Sequence, residues 1–156
     1  MINTNWPRWI FASLSSHFNG YRGSYPFEVQ SQFRQGQSEA TDLFELRMDG
    51  PYFNEVSKDN YDVRCTINIL VQTAIQAEQF HRIHTMVGQI AAGFSAVQLF
   101  RYGDSDQDDQ SAFGCMSVVS QPSGESIVVR HFGQVDVGLG VCQATVEATF
   151  KTELVA

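Results

Sequence analysis

Four histidines, three cysteines and one dense run of acids are the residues of this chain most suited to chemistry, and their spacing limits what each could do. His81 and His84 stand three apart, shortly after Glu78. Zinc hydrolases instead set two histidines four apart on a helix with a glutamate between them. Projected on a helix, His81 falls among polar residues and His84 at the border of the apolar stripe, a poor arrangement for chelation. The run Asp104-Ser105-Asp106-Gln107-Asp108-Asp109 begins as a calcium loop begins. An EF-hand then needs glycine at its sixth position and glutamate at its twelfth, where this chain has Asp109 and Cys115. A solvated loop extended by self-repulsion is the plainer reading. Cys115, His131 and a carboxylate could form a nucleophile–base set. No nucleophile elbow, P-loop or dinucleotide fingerprint supports one, and Gly138-Leu139-Gly140 lacks a third glycine and a following helix. The expectation is a protein that is not an enzyme and holds neither cofactor nor metal. The alternative is a small homo-oligomeric module, or an enzyme, holding a ligand or metal at His81 and His84 or at the acidic loop 104–109.

The elements that would position any site are organised around residues 61–94. From Tyr61 to Ile69 every odd position is apolar and every even one polar. Alternate strand side chains face opposite ways, so Tyr61, Val63, Cys65, Ile67, Ile69 and Val71 are expected on a buried face. After Ile75 the period lengthens. Phe80, Ile83, Val87, Ile90, Ala91 and Phe94 then mark one helical stripe, with Glu78, Arg82, Thr85 and Gln89 opposite. A half-buried sheet needs a cover, and this helix can supply it.

Around that pair the chain reads in order. Residues 5–19 are expected to form a helix capped by Asn5, with Pro7 in its first turn and Asn19-Gly20 at its end. Ile10, Phe11, Leu14 and Phe18 make its core face. Trp6 and Trp9 are read as lying off that face, either folded onto neighbouring loops or buried against another chain. Residues 25–34 read as a strand, and 35–39 as a polar loop. Phe44 to Met48 begin the next strand, which Asp49-Gly50-Pro51 interrupts with a turn or a bulge. Together with the central strand, residues 42–73 make a long hairpin expected to project beyond a small sheet. Strands are expected at 97–102, 113–119 and 126–134. A last strand follows, with Cys142, Ala144, Val146, Ala148 and Phe150 inward, regular enough to pair centrally.

Composition sets the class. The 156 residues imply one domain, 43% hydrophobic and only 17% charged, which excludes a disordered chain. Twelve Phe, five Tyr and two Trp exceed what one core of this size uses and suggest an interface. A net charge of −7 disfavours tight nucleic-acid binding, which needs clustered Lys and Arg, but suits a surface past which DNA slides. Cys65, Cys115 and Cys142 form no CxxC pair and are expected as buried thiols in a reducing compartment. No signal peptide or membrane-length apolar run is found, so the expected site of folding is a cytoplasm.

Several local features resemble small neck and tail-completion proteins of tailed bacteriophages. They are the opening Asn5-Trp6-Pro7-Arg8-Trp9-Ile10-Phe11, the stretch Phe44 to Pro51, the run Phe80-His81-Arg82-Ile83-His84, and His131-Phe132-Gly133-Gln134-Val135-Asp136. The element order resembles the tail terminator family. That resemblance implies an α+β fold: a mostly antiparallel sheet with a long hairpin, flanked by two helices as a sandwich. It further implies a ring of six copies at the head–tail junction of a virion, capping the tail tube and touching neck or connector proteins. DNA would cross the lumen without specific binding. The family has no catalytic residues to carry over. Ring contacts are expected at Trp6, Trp9, Tyr52, Phe53 and Val56, because the two indoles lie off the core face and the hairpin tip is apolar.

Overall fold

The computed structural model describes residues 1–29, 42–74, 79–103, 111–136 and 141–156. Within them the chain is α+β, with two helices and a seven-stranded sheet. The strands run β1 (Phe27–Val29), β2 (Leu43–Ser57), β3 (Asn60–Ala74), β4 (Val97–Phe100), β5 (Ala112–Val119), β6 (Val128–Asp136) and β7 (Val141–Val155). Their spatial order is β1-β2-β3-β7-β5-β4, with β6 also on β7. The sheet is mixed, since β1 joins β2 in parallel. Strand β7 occupies the centre and divides its far edge, pairing residues 141–147 with β6 and 149–151 with β5.

The hairpin β2–β3 follows from two clean alternations joined by Lys58-Asp59, where Asp59 takes the left-handed conformation at φ 62°. Asp49-Gly50-Pro51 is a bulge. Asp49 pairs with Thr66 and Tyr52 with Arg64, so β2 carries one extra residue there. Gly50, at φ 111°, supplies the conformation this detour needs. The hairpin does not project. Strand β7 pairs with β3 from Asn60–Val155 to Ala74–Val141, so the sheet accompanies it to the turn. A strand of fifteen residues finds a partner of the same length.

Both helices cover one face of this sheet. Helix α1 (Trp6–Asn19) buries Trp6, Ile10, Leu14 and Phe18 against it, and α2 (Gln79–Ala91) buries Ile83, Met86, Val87 and Ile90. The sheet contributes the odd residues of β3 from Tyr61 to Val71, and Cys142, Ala144, Val146, Ala148 and Phe150 of β7, as alternation predicts. Phe18, Phe94 and Phe150 meet at the centre, with ring centroids 4.9 to 6.1 Å apart. Each such side chain removed from water stabilises the fold by roughly 1.5–3 kcal/mol.

Three expectations are corrected here. Trp6 belongs to the core stripe of α1, since 6, 10, 14 and 18 follow the four-residue step of one helical face. Asn5 makes no side-chain cap; instead the Asn5 amide donates to Asn3 Oδ1 at 2.9 Å. Cys115 is exposed, because it faces away from the helices on β5, while Cys65 and Cys142 are buried. Of the expected strand 25–34 the described residues show Phe27–Val29; residues 30–34, the expected polar tract 35–39, Glu78 and the acidic run 104–109 lie outside them. Among the described residues no helix is long and apolar enough to cross a membrane.

Candidate functional site

The expected contact residues gather at one end of the molecule, where the β2–β3 turn, the first turn of α1 and the end of β7 meet. They divide into two groups. Trp6 is only 4% exposed, stacks on Phe53 and meets Tyr61 edge-on, so these three rings form one internal cluster. Trp9 turns inward as well. Its indole N–H donates to the Tyr102 carbonyl at 2.7 Å and its ring lies 5.5 Å from Phe113. Arg8 braces the same segment by donating to the carbonyls of Tyr102 and Gly103. Both indoles are therefore held by their own chain, which leaves Trp6 no surface to offer a partner.

Tyr52 and Val56 remain outside, at 61% and 56% exposure, and Val155 at 74% joins them from β7. Register explains Tyr52: it pairs with Arg64 and so faces away from the helices. Its hydroxyl donates to Asp49 Oδ1 at 2.5 Å. That bond, with the charge of Asp49, raises the pKa of the phenol above its ordinary value. Val56 continues the outward phase of Tyr52 and Asn54 and sits in a second irregularity between Glu55 and Ser57. A depression of about 350 Å³ lies between the turn and β7, lined by Val56, Tyr61, Leu154 and Val155 among others. The amino terminus closes this end, its ammonium 3.0 Å from Asp59 Oδ1. Such a surface has apolar anchors and a polar rim, which suits contact with another macromolecule. Val155 was legible in the sequence: the alternation that turns Ala148 and Phe150 inward puts odd positions outward, and its pairing with the outward Asn60 agrees.

The other candidates are scattered. His81 and His84 both lie exposed on α2, but the ring nearest His84 is His131 of β6, with centroids 4.6 Å apart. Cys115 does not approach His131. His131 pairs with Ala144, whereas Cys115 precedes the Ser117–Lys151 pair by two residues. That puts them roughly 30 Å apart along β7 at the usual rise per residue. Among the described residues no three of His, Cys, Asp or Glu are grouped to hold a metal ion.

The sheet face away from the helices is polar and partly covered. Thr66 and Thr149 hydroxyls lie 3.2 Å apart, Gln121 donates to Thr149, and Arg130 pairs with Glu147 at 3.0 Å. These residues line a groove of about 530 Å³ beneath the 121–125 loop. Glu45 is buried on this face and accepts from Arg47 at 2.9 Å. Its charge is compensated by that guanidinium, as a buried carboxylate requires. No protein-family model matches this chain, and no curated protein aligns with it significantly.

Proposed function

We propose that this protein is a structural subunit of a tailed-bacteriophage virion. Copies of it close a ring, of six in the tail-terminator pattern, that ends the tail tube and joins it to the neck. The sheet and its two helices serve as the two layers of a terminator-like sandwich. The observation that carries the reading is the exposed apolar end formed by Tyr52, Val56 and Val155, set beside an open strand edge. Beyond residue 47, β2 has only β3 as a neighbour among the described residues. At the opposite side β4 and β6 are also edges. A ring needs two different surfaces on each subunit, one to give and one to receive, and two unlike edges provide them. Open edges are also sites where another chain adds by backbone hydrogen bonds. The net charge of −7 suits a lumen that DNA crosses without sticking.

Imaging of the assembled particle, with native mass of the purified protein beside it, tests the proposal. A symmetric ring at the tube end is expected. A dispersed single copy, or a position on the capsid surface, would overturn it.

A further inference from the structure

We propose that His84 and His131 together bind a borderline divalent transition metal of the zinc, nickel or copper class, clasping α2 to the edge strand β6. The inference starts from how each ring reaches its place. Helix α2 turns Ile83, Met86, Val87 and Ile90 into the core, which leaves His84 at the margin of the buried stripe. His131 pairs across β6 and β7 with Ala144, a buried residue on the helix-covered face. Directly paired residues of neighbouring strands share a face, so His131 also stands on the helix side of the sheet. The small side chain of Ala144 leaves room for the two rings to meet. Their centroids lie 4.6 Å apart and their planes are inclined by 52°.

This geometry suits shared ligation. Zinc binds imidazole nitrogen at 2.0–2.1 Å, so two nitrogens on one tetrahedral ion stand about 3.3 Å apart. Rings already in contact reach that separation by small side-chain rotations. Their nitrogens are also available. His17 commits Nε2 to the Gly93 carbonyl at 2.8 Å, but no hydrogen bond or ion pair occupies His84 or His131 among the described residues. Both rings are exposed, so an ion can enter with its hydration water and keep water in its remaining positions. Imidazole selects zinc, nickel or copper over magnesium and calcium, with copper(II) bound most tightly. The site does not depend on whether the chain forms a ring.

The test uses the full chain without a purification tag, titrated with zinc chloride and copper(II) chloride. One equivalent of zinc is expected to bind in the micromolar range, copper more tightly, and neither magnesium nor calcium to compete. His84→Ala and His131→Ala should each weaken zinc binding about tenfold or more, while His81→Ala leaves it unchanged. The copper(II) complex of the unsubstituted protein should show hyperfine coupling to two imidazole nitrogens, a readout independent of any variant's folding. Absence of binding below millimolar zinc, or a single coordinated nitrogen, would overturn the proposal. So would loss of binding in His81→Ala with His131→Ala intact, which would place the ion on the helix alone.

Discussion

The indole of Trp6 lies against the ring of Phe53 with centroids 6.0 Å apart and planes only 18° from parallel. This stack ties the first turn of α1 to the hairpin six residues short of its turn's end at Asp59, and Tyr61 closes the cluster from the other strand. Trp6→Ala should therefore destabilise the single chain by about 3–5 kcal/mol, the range for removing a large buried aromatic. Thermal melting of dilute protein checks this. An unchanged melting temperature with altered assembly would return Trp6 to the surface.

Val56 and Val155 should behave in the opposite way. Both are more than half exposed, so Val56→Asp and Val155→Asp should alter stability by no more than about 0.5 kcal/mol. Under the proposed function the same variants place carboxylates inside a subunit contact and should lower the native mass or abolish tail completion. Melting and native mass spectrometry, measured on the same samples, separate the two effects.

Ile67 is fully buried and pairs with Ala148 in the middle of the sheet. Ile67→Asp would strand a charge among Ile69, Val146 and the helices and cost several kcal/mol, comparable to the stability of a whole domain. Insoluble or non-cooperatively melting protein is expected. Asn68→Asp, one residue on and facing the polar side, should be much milder.

How far the sequence reveals this fold depends on the distance over which each feature is decided. The buried phases of β3 and β7 are local periodicities, and the structure keeps them; of the α2 stripe it keeps Ile83, Val87, Ile90 and Phe94 and adds Met86, while the side chain of Phe80 lies outside the described residues. The parallel addition of β1, the full-length pairing of β3 with β7 and the split edge of β7 are choices between distant segments, which periodicity does not report. The Trp6 error was different. Its four-residue spacing from Ile10 does carry the signal, and the buried stripe of α1 runs one turn further toward the N-terminus than Ile10, Leu14 and Phe18 alone indicate. The meeting of His84 with His131 was illegible, because α2 and β6 are far apart in sequence and only the register of β6 brings them level.

Gly50 offers a test of the bulge. Its φ of 111° lies in the region reserved for glycine, and an added Cβ would stand 2.9 Å from the Arg64 carbonyl oxygen. Gly50→Ala should cost about 1–3 kcal/mol. Denaturant unfolding with an unchanged slope and a lower midpoint is the expected result.

The cysteines predict both reactivity and alkaline behaviour. Exposed Cys115 should react first with a thiol reagent, and Cys65 only on unfolding. Burial, with a smaller effect from Asp49, pushes the Cys65 thiol from 9.0 up to about 12. The folded chain thus holds its proton where the unfolded chain releases it. This contribution to stability is full below about pH 9 and is lost as pH rises from there toward 12. Cys65→Ser should flatten that part of the stability profile, read by urea titration at a series of alkaline pH values.

The central place of β7 has a consequence for how the protein is made. A ribosome releases residues 141–155 after every other element described above, yet β3, β5 and β6 all depend on them for backbone partners. Until they emerge, the nascent hairpin exposes an apolar face and an unpaired strand edge, the features that invite aggregation. Folding is then a late, nearly all-at-once event set by long-range pairing, and correspondingly slow. A message truncated before codon 141 should yield no partial domain, only chains for chaperones and proteases to remove.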